Sequence, residues 1–403
     1  MISVTDADAL LAQHCPAFAD IAFPIQHAVG KVLREDLVAD RDFPPFNRAA
    51  MDGIALRYDA FTALDRPIPI EATAFAGAPQ LELQSPDAAV EIMTGAVVPK
   101  GCDTIVRIED VALKTLDDQR YATLLVPPEP NAHIHAQASD RKRGEVIVPK
   151  GQLLTAADIA VAATIGKSSL RISMMPRLSI ISTGDELVPI DAEPLPHQIR
   201  MSNAYALQAF LSANGFSAAL FHSPDSEAMF SGLLSECLAE SDVIILTGGV
   251  SAGRADFVPS ALAALGIEKI FHKVKQRPGK PLWFGKRADG KIVFALPGNP
   301  VSVIVCFLRY VLPFLYRASG LHAPAPLSAT LQESVEFKPA LTYFLPVKIS
   351  VVQSMLVATP LKGHGSGDFA NLVDCDGFLE LPEQEFFFPK GASFPLLLYR
   401  ALR

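Results

Sequence analysis

Three stretches of this 403-residue chain bring glycines together with carboxylates, hydroxyls or prolines at the spacing of ligand-binding turns. STGDEL (182–187) follows the apolar run RLSIIS and sets Asp185 and Glu186 beside Gly184, which permits a sharp turn. Paired carboxylates on a rigid loop can hold a hard cation such as Mg²⁺, with waters and a phosphate completing the shell. The same residues would also serve as a helix cap and a solvated acidic turn. TGGVSAGRADF (247–257) follows DVIIL. Gly248 and Gly249 let the backbone approach a ligand and can form an anion nest. Ser251 adds a hydroxyl donor and Asp256 a metal ligand. The stretch is neither G-x-G-x-x-G nor a Walker sequence, so a plain tight turn is the competing reading. LPGNPVS (296–302) follows KIVFA. Asn299 is placed to cap a helix with Pro300 at its first position, and a helix N-terminus attracts phosphate.

KVKQRPGKPLWFG (273–285) holds Lys273, Lys275, Arg277 and Lys280 within eight residues, with Lys280 on a stiff Pro-Gly-Lys-Pro turn. Strand alternation would put Lys273, Lys275 and Arg277 on one face. A charge run is usually a solvated edge, but the neighbouring glycine loops favour a phosphate-binding cluster. Further upstream, Met51-Asp52-Gly53 makes a turn with one carboxylate, and Thr94-Gly95 offers a hydroxyl and an N–H. HIH (133–135) lacks a nearby third ligand and reads as an exposed strand rather than a metal site. Cys102, in PKGCDT, has no basic neighbour and reads as structural.

The elements that must position these residues change character along the chain. Residues 4–14 read as a helix capped by Thr5 or Asp6, and 155–166 as one capped by Thr155 and stopped by Gly166. Residues 42–150 are rich in Pro, Gly and short β-branched runs, the pattern of a mostly β module. From 177, continuous apolar runs (RLSIIS, DVIIL, EKIFHKV, KIVFAL) alternate with helical stretches, including a capped one at 201–215 and a long one at 300–319. That alternation predicts βαβ units, a mostly parallel sheet, and ligand loops at its carboxyl edge. After 322–326 the short strands return and predict a small β-barrel or sandwich.

The composition bounds what such a chain does. Half of its residues are hydrophobic, which excludes global disorder. The net charge of −8 argues against non-specific nucleic-acid binding, which depends on neutralising phosphates. The five cysteines form no C-x-x-C pair and suggest neither a zinc site nor a disulfide framework. MISVTDADALLAQ is acidic where a signal peptide is basic, and the longest uncharged apolar run, 292–308, is broken by LPGNP. A soluble cytoplasmic protein with no membrane span is expected.

Taken together and in order, PPFNRAAMDGIA, IMTGAVVPKGCDTIV, RGEVIVPKGQLL, STGDEL, TGGVSAGRADF, KQRPGKPLWFG and LPGNPVS resemble the molybdopterin molybdenumtransferases, the family that includes the gephyrin E domain. The last ~75 residues match loosely, through GHGSGDF (363–369). The resemblance implies four units: an α/β molybdopterin-binding domain (1–23 and 175–322), a linking domain in two segments (24–41 and 141–174), an inserted β-rich module (42–140) and a C-terminal β-barrel (323–403). It implies insertion of molybdate into adenylylated molybdopterin, with Mg²⁺-dependent release of AMP. Asp185, Glu186 and Asp256 match the carboxylates for metal and substrate; Gly248, Gly249 and Ser251 match the pterin-phosphate loop. Lys275, Lys280, Pro297 and Pro300 match substrate-binding positions, and Glu186 and Asp225 catalytic ones. Members are homodimers, so Asp52, Thr94 and Asp140 would reach the partner's site. Protein partners implied are the molybdopterin adenylyltransferase and recipient molybdoenzymes.

Two stretches depart from the family pattern. SAMDGYA reads AAMDGIA, with Ala49 and Ile54 at the changed positions. N-I-R-x-x-G-E-D reads HIHAQASD (133–140), keeping only Asp140 of its defining polar residues. The alternative reading is therefore a divergent paralogue that binds molybdopterin or the finished cofactor as carrier or scaffold, without efficient insertion.

Overall fold

The computed structural model describes residues 1–61, 63–249, 257–322, 326–361 and 370–400. Its centre is a six-stranded sheet in the order Ala218–Ser223, Leu178–Thr183, Val243–Thr247, Ile292–Leu296, Trp283–Arg287, Ile267–His272. The first four strands are mutually parallel. Every residue of Leu178–Thr183, Val243–Thr247 and Ile292–Leu296 is buried, which is why these strands read as unbroken apolar runs. Alternate side chains feed two separate cores. Ile180, Ile245 and Phe294 pack with Leu207, Val303 and Phe314 on one face; Ile181, Leu246 and Ala295 pack with Phe230, Leu234 and Leu262 on the other. Three layers follow from that pleat.

Details differ from the sequence expectation. Trp283–Arg287, which overlaps the basic stretch 273–285, is a strand antiparallel to both neighbours, so the mostly parallel sheet ends in an antiparallel edge. Trp283 and Phe284 are fully buried and pull the chain into the sheet. The first helix, Val4–His14, is capped by Ser3 in a reciprocal box with Asp6, and not by Thr5 or Asp6. Helix Ser202–Ala213 starts after Met201 with no side-chain cap, although it does end at Asn214 and a left-handed Gly215. Thr155 caps Ala156–Thr164 as expected. Pro300–Ala318 is the one described helix long and apolar enough to cross a membrane, but 72% of it is buried inside the protein and it serves as a core helix. Its middle turn, Phe307–Val311, is π-helical: Leu312 N–H donates to Phe307 O, five residues back.

Three smaller units surround this centre. Asp20–Pro24 pairs with Ser169–Ser173, and Leu37–Val38 with Val146–Val148, over a core of Leu33, Leu37, Leu154 and Ile172. A second six-stranded sheet runs Thr104–Arg107, Gly53–Leu56, Ala89–Ile92, Ile68–Ala74, Gln119–Leu124, Val111–Leu116. At the C-terminal end, Thr342–Val352, Met355–Pro360, Ser328–Leu331, Ser393–Leu398 and Gly377–Leu381 form a closed five-stranded barrel, because Gly377–Leu381 pairs back onto Thr342–Val352. Gln276–Arg277 adds to the edge of this barrel through Thr342–Tyr343, which ties the basic turn of the α/β domain to it.

Candidate active site

The carboxyl ends of the parallel strands gather the three glycine-bearing loops along one groove of 690 Å³. Its lining includes Gly184, Glu186, Asp225, Gly248, Gly249, Pro297 and Pro300. Both Gly248 and Gly249 have positive φ, +94° and +65°. A Cβ at Gly248 would lie 2.8 Å from Thr183 O, and one at Gly249 2.5 Å from Val258 Cγ2, so no other residue fits without displacing the loop. Ser251 and Asp256 lie outside the described residues, as does GHGSGDF.

The two carboxylates of the first loop part company. Glu186 lines the groove, whereas Asp185 accepts a hydrogen bond from Asp225 N–H at 3.0 Å and so ties its loop to the next one. Asp225 lines the groove with Glu186. No cluster of three or more metal-ligating His, Cys, Asp or Glu side chains occurs among the described residues. Glu186 and Asp225 are nevertheless the hard oxygen donors that suit Mg²⁺, which keeps several waters and takes one or two carboxylates plus substrate phosphate. Arg200 and Asn203, which the sequence reading passed over, line the same groove; Arg200 is tethered to Ala192 O at 3.0 Å and Asn203 to Gly298 O at 2.8 Å.

A second groove, of 610 Å³, adjoins the first and shares Pro281, Pro297 and Asn299 with it. Its charged lining is Arg277 and Lys280. Val301 and Ser302, in the first turn of the long helix, bring that helix's positive end to the same wall. Pro300 is at the first helical position as expected, while Asn299 takes the N-cap position without a capping bond from its side chain. The opposite wall is the barrel's Leu341, Tyr343 and Phe344. Tyr343 stacks on Phe337 with ring centroids 4.2 Å apart, and the Arg277 guanidinium lies 5.9 Å from the Phe337 ring. Lys275 lines neither groove; its charge acts on Asp6 of the first helix. Lys273 has a left-handed backbone (φ +71°), so 273–277 is no continuous strand, although Lys273, Lys275 and Arg277 do alternate with buried Val274 and Gln276.

Asp52, Thr94 and Asp140 line neither groove of their own chain and are exposed. They form two arrangements on either side of the short strand Arg48–Ala49. Thr94 donates to Asp52 Oδ1 from its N–H (2.6 Å) and its hydroxyl (2.7 Å), which together hold the Asp52 carboxyl below the usual carboxylate range. His135 lies in the short strand Ile134–His135, a strand as expected but half-buried, and also bridges two charges: Arg48 donates to its Nδ1 at 3.0 Å, and its Nε2 lies 2.9 Å from Asp140. With Nδ1 accepting, the proton sits on Nε2 and points at Asp140. That hydrogen bond is the main reason the Asp140 carboxyl also titrates low. Cys102 is no nucleophile, because burial pushes its thiol up to about 12.

Comparison with known proteins bears on this geometry directly. The profile of the MoeA N-terminal region (domain I and II) matches residues 2–166, that of a probable molybdopterin binding domain 179–317, and that of the MoeA C-terminal region (domain IV) 328–399. A molybdopterin molybdenumtransferase of Synechocystis is 38% identical, covering 98% of this chain and 99% of its own length. The chain belongs to the molybdopterin molybdenumtransferase family. It is accordingly an enzyme of molybdenum cofactor biosynthesis. A second relative of that name, from Nostoc, is 32% identical over 92% of this chain and 86% of its own. The crystal structure of a molybdopterin biosynthesis protein from Pyrococcus horikoshii superposes with a TM-score of 0.82 at 27% identity, covering 99% of this chain and all of that one. The family's molybdopterin-binding profile spans both the glycine-loop groove and the basic turn.

Proposed function

We propose that the chain inserts molybdate into adenylylated molybdopterin, with Mg²⁺-dependent release of AMP. The observation that carries this reading is the continuity of two grooves of different charge: Glu186 and Asp225 line one, Arg277 and Lys280 the other. A pterin phosphate at the glycine loop would be met by backbone N–H groups, which the missing side chains of Gly248 and Gly249 leave accessible. Glu186 and Asp225, with Asp256, would hold Mg²⁺, which when bound neutralises charge on the phosphoanhydride as AMP leaves. Molybdate is a dianion and is drawn to the second groove by Arg277, Lys280 and the helix end. Lys280 then stabilises charge without forming a covalent intermediate. The five cysteines are free, and burial raises each thiol, outweighing Arg317 and Lys286 near Cys15, which agrees with a mechanism that uses no cysteine nucleophile.

The site is completed in a homodimer, with the partner's Asp52, Thr94 and Asp140 covering the grooves. The bridge from Arg48 through His135 to Asp140 supports retention of that surface despite the changed sequence at 133–139. The acidic net charge leaves nucleic acid out of the partner list; the adenylyltransferase that supplies the substrate and the recipient molybdoenzymes remain on it. The deciding experiment incubates purified protein with adenylylated molybdopterin, Mg²⁺ and molybdate. AMP release is expected, with Asp256→Ala and Glu186→Gln abolishing it. Tight pterin binding without AMP release would overturn insertion in favour of the carrier reading.

A further inference from the structure

The basic turn at 277–280 rests on three polar side chains that lie wholly inside the protein. Gln276, Tyr310 and Cys306 are 1%, 1% and 0% exposed. The Tyr310 hydroxyl donates to Gln276 Oε1. The amide's nitrogen is thereby turned the other way, where it donates to Pro278 O at 3.1 Å and lies 3.6 Å from Cys306 Sγ. The Cys306 thiol points at Gly279 O, also at 3.6 Å. Two successive carbonyls of the turn are thus held from below, one by an amide and one by a thiol. The fit leaves no slack: a Cβ at Gly279 would lie 2.6 Å from Cys306 Sγ and 2.7 Å from Gln276 Nε2. Burial pushes the Tyr310 hydroxyl well above its usual range, so it stays a donor and keeps the amide in one orientation. Cys306 ends the regular first part of the long helix and Tyr310 lies in its π-helical turn, while the next residue back, Arg309, reaches away to Asp8 and Glu380.

We propose that Gln276, Tyr310 and Cys306 are positioning residues that fix the 277–280 turn, and through it the placement of Arg277 and Lys280 for molybdate. None of the three lends a charge to the anion; the amide and the thiol set where the two cationic side chains leave the backbone. The proposal rests on the reading of the second groove as the molybdate groove, and the two fail separately.

The test measures molybdate binding by calorimetry on the full-length protein, alongside the KM for adenylylated molybdopterin and thermal unfolding. Tyr310→Phe and Gln276→Met are each expected to weaken molybdate roughly tenfold, since small misplacements of binding groups are costly, while the pterin KM stays within about twofold. Tyr310→Phe leaves Gln276 Oε1 unpaired and Gln276→Met leaves the Tyr310 hydroxyl and Pro278 O unpaired, so each lowers the unfolding temperature; the double variant removes the first two of these atoms and recovers part of that loss. Molybdate affinity is expected to stay low in the double variant, because Pro278 O still lacks its donor. Recovery of affinity together with the unfolding temperature would mean that the three residues only stabilise the fold. If Lys280→Ala weakens molybdate but Tyr310→Phe and Gln276→Met do not, the positioning role is wrong. If Lys280→Ala itself has no effect, the reading of the groove is wrong.

Discussion

At the residue scale, the structure separates side chains that the sequence cannot. Asp185 and Glu186 are adjacent and chemically alike, so spacing offers them equally as ligands. The difference arises from the Asp225 N–H, forty residues away, which occupies Asp185 and leaves Glu186 facing the groove. The glycine loop was legible because only glycine suits its backbone. Gly248→Ala places a Cβ against Thr183 O and is expected to cost on the order of 1–3 kcal/mol in denaturant unfolding and to abolish pterin binding. Wild-type pterin affinity in that variant would remove the loop from the site. Asp52 gives a pH prediction. Its carboxyl is held low by Thr94, first by the N–H and then by the hydroxyl, so the ionised form is favoured in the folded protein. Stability from that pair is present above the ordinary carboxylate pKa and lost as pH falls through the lowered one. Thr94→Val keeps the N–H but deletes the hydroxyl, so the Asp52 pKa moves part of the way back up. The acid limb of kcat/KM is expected to shift to higher pH; an unmoved limb would mean that Asp52 does not govern it.

At the element scale, the long helix organises more of the molecule than its apolar sequence suggests. Arg309 in its π-helical turn makes paired 2.7 Å hydrogen bonds to Asp8 of the first helix and reaches Glu380 of the barrel at 2.8 Å. One guanidinium therefore fastens three elements. Arg309→Leu strands both carboxylates, of which Glu380 is 20% and Asp8 44% exposed. Removing one partner of a buried pair costs 3–5 kcal/mol, and the exposure of Asp8 puts the expected loss near the lower end, about 3 kcal/mol by urea unfolding. Arg309→Lys keeps the charge but not the planar fork, so it is expected to recover less than half of that. A loss below about 0.5 kcal/mol, the usual range for a surface substitution, would show that the barrel docks without this clamp. The parallel strands and their loops were legible because full burial writes an unbroken apolar run. The strand Trp283–Arg287 was not, because it follows a run of cations and prolines, and its place is set by Trp283 and Phe284 packing into cores built elsewhere. The barrel wall of the second groove was invisible for the same reason: Tyr343 acquires its role only when Gln276–Arg277 pairs with its strand.

At the scale of the whole molecule, the proposed homodimer brings together two surfaces that one chain keeps apart. The grooves of the α/β domain are open to solvent, and Asp52, Thr94 and Asp140 are exposed and line neither of them. Two copies related by a two-fold axis can cover each other's grooves, since an isologous pairing uses the same two surfaces on both protomers. That arrangement makes a prediction that no single-chain site shares. Lys280→Ala disables only the groove side, and Asp140→Ala only the covering side. Each variant alone is expected to release little AMP. Mixed in equal amounts, unfolded and refolded together, half of the dimers formed are hybrids. Each hybrid carries one site with both defects and one with none, so about a quarter of all sites are intact. AMP release by the mixture is therefore expected to return to about a quarter of wild type, and not to rise when either variant is mixed with itself. A mixture no more active than its components would place Asp140 in the same protomer's site. Activity well above a quarter would mean that one of the two side chains is dispensable. The net charge of −8 does not oppose the proposed pairing, because the charges it would bring together are local: the cations of the 277–280 turn on one side and two carboxylates, both titrating low, on the other.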